Sequence, residues 1–151
     1  MTDFMTANAI NRLEYLCDTI PSLLAEIDET AFSTRSAPDK WSRKEIIGHL
    51  IGSAANNHQR FVRGQFENIP KIIYNQDKWN EYSFHQKMDS HQLIAFWTIY
   101  NKQLAALLRH IPNKNWKREC ETNEGNKYTL EFLCMDYVEH LEHHLRQIVT
   151  Y

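Results

Sequence analysis

The feature that most constrains the fold is a helical spacing of apolar residues that recurs in four long segments. Apolar side chains follow one another at steps of three and four, the mark of an amphipathic helix. In the first segment they are Ile10, Leu13, Leu16, Ile20, Leu23, Leu24 and Ile27. We predict helices over residues 7–27, 43–65, 90–111 and 130–149.

Capping residues mark the beginnings of three of these helices. Ser42, followed three residues later by Glu45, has the pattern of a capping box. Asp89 or Ser90 is placed to cap the third helix, and Thr129 to cap the fourth.

Two turn-rich connections separate the later helices. They read FENIPKIIYNQDKWNEYSFHQK and NKNWKRECETNEGNKY, and neither keeps a helical spacing. We expect ordered loops there. The length suits one domain over residues 1–151. The predicted fold is therefore all-α, a four-helix bundle with a long crossover connection.

Charge and cysteine content exclude several classes of protein. The formal net charge is −2, with basic and acidic residues intermixed, so no basic face is available for nucleic acid. The three cysteines form no CxxC pair, which indicates reduced thiols. No apolar run approaches the roughly 20 residues of a membrane span, and the first residues do not resemble a signal peptide. We expect a cytoplasmic protein without a membrane partner.

The fourth predicted helix carries three histidines in the stretch YVEHLEHHLRQI. His140 and His144 are four residues apart and project from the same side, so both rings can reach one divalent ion. His143 lies further round toward solvent. An alternative is that these histidines only interact favourably with the C-terminal end of the helix dipole.

The second predicted helix offers two candidates for a third ligand. His58 lies in the middle of the apolar face, whereas His49 lies nearly opposite. His49 shares a polar stripe with Ser53, Asn56 and Arg60, and such a stripe can line a wet cleft. A core histidine is the more common state for His58. The spacing alone leaves the third ligand open.

A family resemblance enters through three stretches: DKWSRKEIIGHL, YNQDKWN and NEGNKYTLEFLCMDYVEHLEHHLRQI. Together they resemble the DinB-like (DinB/YfiT) superfamily of metalloenzymes over nearly the whole chain. The resemblance implies a bundle that holds a divalent ion (Zn, Ni, Fe or Mn) through His49, His140 and His144. It leaves His143 out of the ligand set and implies a homodimer.

The implied activity is that of a metal-dependent enzyme acting on a small molecule. Some members resemble S-transferases that use a low-molecular-weight thiol, and others resemble hydrolases. The alternative is a non-catalytic metal-binding or ligand-binding bundle with a stress-related role.

Further residues are candidates for supporting roles at this site. Glu45 and Asp136 each lie one turn before a candidate ligand and are placed to orient its ring. Asn56 and Arg60 are placed to contact an anionic substrate or the carboxylate of a thiol. Asp77 and Trp79, in the long connection, are candidates to close over the site.

Overall fold

A computed structural model describes residues 3–151. The α-helices are α1 (Phe4–Ala25), α2 (Glu29–Ser33), α3 (Arg43–Arg63), α4 (Gln76–Glu81), α5 (Ser90–His110) and α6 (Leu130–Leu145). Two strands, β1 (Glu119–Glu121) and β2 (Lys127–Thr129), form an antiparallel pair. Short 3-10 helices occupy His85–Lys87, Asn113–Asn115 and Asn123–Gly125.

The four long helices form the predicted bundle. Helix α1 packs against α5 and α6, and α3 packs against the same two helices. Consequently α1 and α3 occupy opposite corners, as do α5 and α6. The chain crosses the bundle diagonally twice, once between α1 and α3 and once between α5 and α6, so the predicted crossover is confirmed.

The predicted caps are confirmed and fix three of the helix starts. Ser42 Oγ accepts from the N–H of Glu45 at 3.1 Å, and Glu45 Oε1 accepts from the N–H of Ser42 at 3.2 Å. Asp89, rather than Ser90, caps α5, and Thr129 caps α6. The helix ends differ from the predictions by up to four residues, since α6 gives way to turns after Leu145.

The connections contain short elements that the apolar spacing did not predict. Helix α4 has six residues and begins where Asn75 Oδ1 accepts from the N–H of Lys78 at 3.0 Å. The strands β1 and β2 have three residues each, with Cys120 opposite Tyr128. Elements this short complete barely one or two periods, so their spacing carries little signal. The hairpin is a small addition to a helical fold.

The core between the helices includes one buried polar pair. Tyr137 on α6 donates its hydroxyl to Asn101 Oδ1 on α5 at 2.6 Å, and both residues are buried. Because the polar atoms satisfy each other, the pair adds a directional contact between diagonal helices without leaving an acceptor unpaired.

The three cysteines are buried and unpaired. Burial raises the pKa of the Cys120 thiol to about 11 and the pKa values of Cys17 and Cys134 to about 12. Since the thiolate is the reactive form, these side chains are poor nucleophiles. No helix within residues 3–151 has the length and apolar character needed to cross a membrane.

Candidate metal centre

Three histidines from two helices converge at one end of the groove between α3 and α6. His49 projects from α3, and His140 and His144 project from successive turns of α6. One ring nitrogen from each lies within 4.8 Å of the other two. His49 Nε2 and His140 Nε2 lie 3.4 Å apart.

This arrangement fits a divalent ion. Two nitrogens bound to one tetrahedral ion at about 2.0–2.1 Å lie roughly 3.3–3.4 Å apart. The 3.4 Å separation of His49 and His140 matches that spacing. A nitrogen of His144 lies within 4.8 Å of both, so a small shift of this half-buried side chain completes the set.

Burial holds the three rings in the neutral form that binds metal. Desolvation, with repulsion from the other two histidines, lowers the pKa of His49 to about 3. Desolvation and the neighbouring His144 and His143 lower the pKa of His140 to about 4. The pKa of His144 is also lowered, chiefly by burial. At neutral pH each ring therefore has a free nitrogen lone pair.

Two neighbours that sequence reasoning did not assign orient the rings. Gln147 Oε1 lies 3.1 Å from His144 Nδ1, so an N–H at Nδ1 donates to it and leaves Nε2 as the free nitrogen. The indole of Trp41 packs on His49 with ring centroids 4.8 Å apart. The signal for Gln147 was its position three residues after His144, just beyond the end of α6.

The two carboxylates predicted to orient the ligands make other contacts or face a neighbouring cavity. Glu45 forms an ion pair with Arg35 at 2.7 Å, in addition to its bond in the capping box. Asp136 lines a cavity beside His140. Within residues 3–151 neither carboxylate hydrogen-bonds a histidine of the cluster, so their predicted orienting role has no support in the contacts.

The side chains of the other candidates on α3 point in different directions, so only some of them face the cavity. Asn56 is buried and donates to the carbonyl of Gly52 at 2.9 Å, whereas the adjacent Asn57 lines the cavity together with Arg60. His58 Nδ1 lies 2.9 Å from the Tyr100 hydroxyl, and His58 is not part of the histidine cluster. It is a hydrogen-bonded, half-buried histidine of the bundle.

His143 is exposed, with its ring centroid 5.3 Å from that of His144. Its nearest polar neighbour is the amide of Gln147, at 3.5 Å. It lies outside the group of converging nitrogens.

The cluster lies between two cavities. One, of about 290 Å³, is lined by His140 and extends along α3 to Arg60. The other, of about 910 Å³, is lined by Trp41, Asp77 and His144. Small molecules therefore have room to approach the cluster from two sides. Trp79 packs on Gly52, where an added Cβ would lie 2.7 Å from its indole Cδ1, and so covers α3 rather than the cluster itself.

The lowered pKa of His49 predicts how the metal-free protein responds to acid. The ordinary pKa of a histidine is 6.5. Between pH 6.5 and about pH 5, His49 therefore binds a proton in the unfolded state but not in the folded state. The contribution of neutral His49 to the free energy of unfolding is complete above pH 6.5 and is lost as the pH is lowered. The loss from His49 alone is about 2 kcal/mol at pH 5. Urea unfolding at several pH values measures this loss.

The matched variants are His49→Gln and, as an exposed control, His91→Gln. His49→Gln is expected to flatten the dependence of unfolding free energy on pH, whereas His91→Gln leaves it as in the wild type. A wild-type slope in His49→Gln would show that burial of this ring does not destabilise its protonated form.

Comparison with known proteins places this geometry in a family. Residues 12–148 match the sequence profile of the DinB superfamily. A Bacillus subtilis (strain 168) protein named "Putative metal-dependent hydrolase YfiT" is 27% identical over 110 residues. That alignment covers 72% of this chain and 62% of the relative, so it spans less than two thirds of YfiT.

Solved structures agree with the match. The structure of YfiT from Bacillus subtilis, described as an unusual four-helix bundle, has a TM-score of 0.87 at 23% identity, over 98% of this chain and 86% of that one. A mycothiol-dependent maleylpyruvate isomerase has a TM-score of 0.77 at 14% identity, over 97% of this chain and 62% of that one. At these identities the structures show a shared fold. Because the family profile matches nearly the whole length of the chain, the chain belongs to the DinB superfamily.

Proposed function

We propose that the protein is a divalent-metal-dependent enzyme that transfers a low-molecular-weight thiol onto an electrophilic small molecule. The observation that carries the proposal is the convergence of His49, His140 and His144. Three neutral imidazoles form a ligand set that leaves the ion a net charge of +2.

The site has the incomplete ligand set of a catalytic centre. A structural ion with tetrahedral geometry takes four protein ligands, whereas a catalytic ion keeps one position for water or substrate. No fourth histidine, cysteine or carboxylate within residues 3–151 joins the cluster. The adjoining cavities supply space for a small molecule beside the cluster.

Neighbouring residues and burial prepare the three histidines for metal binding in three ways. Burial keeps His49 and His140 neutral at physiological pH. Gln147 fixes the tautomer of His144, and Trp41 covers one face of His49. A divalent ion bound there would lower the pKa of a water or thiol ligand and polarise an oxygen of the substrate.

Thiol transfer suits these surroundings better than hydrolysis. A thiol with a pKa of about 8.5 needs a smaller shift to ionise than water, with a pKa of about 15.7. Moreover, no carboxylate within residues 3–151 hydrogen-bonds the cluster to serve as a base. Hydrolysis is the second candidate, favoured by the hydrolase name of the relative YfiT.

The test is a pair of assays on the metal-loaded protein. One mixes a panel of thiols (cysteine, N-acetylcysteine and glutathione) with 1-chloro-2,4-dinitrobenzene, and the other follows hydrolysis of p-nitrophenyl acetate. Conjugation is expected to exceed that of the triple variant His49→Ala/His140→Ala/His144→Ala by more than about 100-fold, since several kcal/mol of charge stabilisation are lost.

The outcomes separate the candidate functions. If the protein hydrolyses the ester but forms no thiol conjugate, the proposed activity changes from thiol transfer to hydrolysis. If neither reaction depends on the three histidines, the enzyme proposal fails and a non-catalytic metal-binding bundle takes its place.

A further inference from the structure

The smaller cavity connects the histidine cluster with a half-buried arginine. Its walls come from α3, α6, the hairpin and the connection leading into α4, and it extends from His140 to Arg60. Arg60 follows His49 on α3 by about 16 Å of helix axis, at 1.5 Å per residue. At about 290 Å³ the cavity is at the lower end of the volumes that hold small-molecule ligands.

The guanidinium of Arg60 donates hydrogen bonds only to neutral acceptors. Its Nη1 donates to Asn57 Oδ1 at 3.3 Å, and its Nη2 donates to the carbonyl of Ile72 at 3.0 Å. Its Nε is buried without a hydrogen-bond partner. Among residues 3–151 no carboxylate forms an ion pair with it.

A half-buried cation without an ion pair is costly, and this one is held firmly in place. Burial lowers the pKa of Arg60, yet a guanidinium stays charged in proteins. The carbonyl that it contacts is fixed by the hairpin, because the N–H of Ile72 donates to the carbonyl of Glu121 on β1 at 3.0 Å. Asp136 attracts the guanidinium without forming an ion pair, so an anionic ligand in the cavity supplies the direct charged partner that Arg60 lacks.

The surroundings favour a singly charged, planar anion. The guanidinium is a planar fork that matches a carboxylate. Asp136 lies on the same cavity wall and repels a doubly charged anion more strongly than a singly charged one. Tyr74 and Tyr128 add aromatic surface for the organic part of a ligand.

We propose that Arg60 binds a carboxylate of the substrate, and that the substrate class is therefore a small organic carboxylate. Its reacting group extends along the cavity toward His140. The inference rests on the proposed function in placing the reaction at the histidine cluster, but the anion subsite itself requires neither metal nor thiol.

The experiment uses the full chain freed of metal by a chelating resin, with benzoate as the probe and benzamide as its uncharged match. Ligand-observed NMR titration yields the two dissociation constants. The wild type is expected to bind benzoate about tenfold more tightly than benzamide, and Arg60→Gln is expected to lose about that factor for benzoate only.

Two variants complete the design. Arg63→Gln removes the same charge from the outer side of α3, where Arg63 is paired with Glu67, and is expected to keep the wild-type preference. Arg60→Lys keeps the charge without the fork and tests the subsite even where Arg60→Gln does not fold. It is expected to bind benzoate with intermediate affinity.

Absence of any preference for benzoate in the wild type would overturn the inference, and so would equal benzoate binding by folded Arg60→Gln. Since the probe contains no thiol and the protein no metal, either result is distinct from failure of the proposed enzyme activity.

Discussion

His49→Ala is expected to lose stoichiometric binding of divalent metal, with affinity falling by more than about 100-fold, because loss of a ligand exceeds the 10–100-fold cost of losing an outer partner. His144→Ala is expected to behave in the same way. Each removes one of three converging nitrogens and leaves two, which no longer enclose an ion. Calorimetric titration with zinc, nickel and manganese in separate runs measures the effect.

The matched control is His143→Ala, one residue before His144 on α6. His143 is exposed and lies outside the converging group, so this variant is expected to retain wild-type stoichiometry and affinity. Circular dichroism checks that each variant keeps its helices. Loss of metal by His143→Ala, with retention by His49→Ala, would show that the ligand assignment is wrong.

Phe61→Ala is expected to lower the free energy of unfolding by about 3–5 kcal/mol, as large-to-small substitutions of buried aromatic residues do. The Phe61 side chain is fully buried and meets the ring of Tyr137 edge to face, with centroids 6.0 Å apart. The substitution removes that contact and leaves a cavity between α3 and α6. Denaturant unfolding of the metal-free protein measures the change without a contribution from bound ions.

The adjacent Val62 supplies the control, because 36% of its surface is exposed. Val62→Ala is expected to cost less than about 1 kcal/mol. The pair tests the rotation of α3 that points Phe61 into the bundle. Similar losses in both variants would contradict that rotation.

Much of the bundle was predictable because its helices are long and capped. A segment of about 20 residues repeats the apolar spacing over several turns, and Ser42, Asp89 and Thr129 then mark the first turns. The hairpin and α4 were not predictable in this way. They are positioned by contacts distant in sequence, such as the bond from Ile72 to Glu121.

The candidate site was predictable in part. The His140 and His144 pair follows from a helical spacing of four, which is a local property. The choice of His49 over His58 needed the family resemblance, because it depends on which helix packs against each side of α3. In the structure His58 meets Tyr100 of α5, whereas His49 meets His140 of α6.

The surroundings of the cluster depend on tertiary structure throughout. The predicted contact of Arg60 with an anion remains a proposal, now supported by a cavity and by a guanidinium that forms no ion pair within residues 3–151. The partner of Glu45 proved to be Arg35, across the turn between α2 and α3. A sequence pattern does not reveal such a pairing, since loop geometry decides it.

The central claim is that the three histidines hold a divalent ion, and elemental analysis tests it most directly. Plasma mass spectrometry on gently purified, untagged protein is compared with the triple variant His49→Ala/His140→Ala/His144→Ala. The account predicts about one divalent ion per chain in the wild type and none in the variant. Absence of metal from both, even after addition of zinc, nickel and manganese, would contradict it.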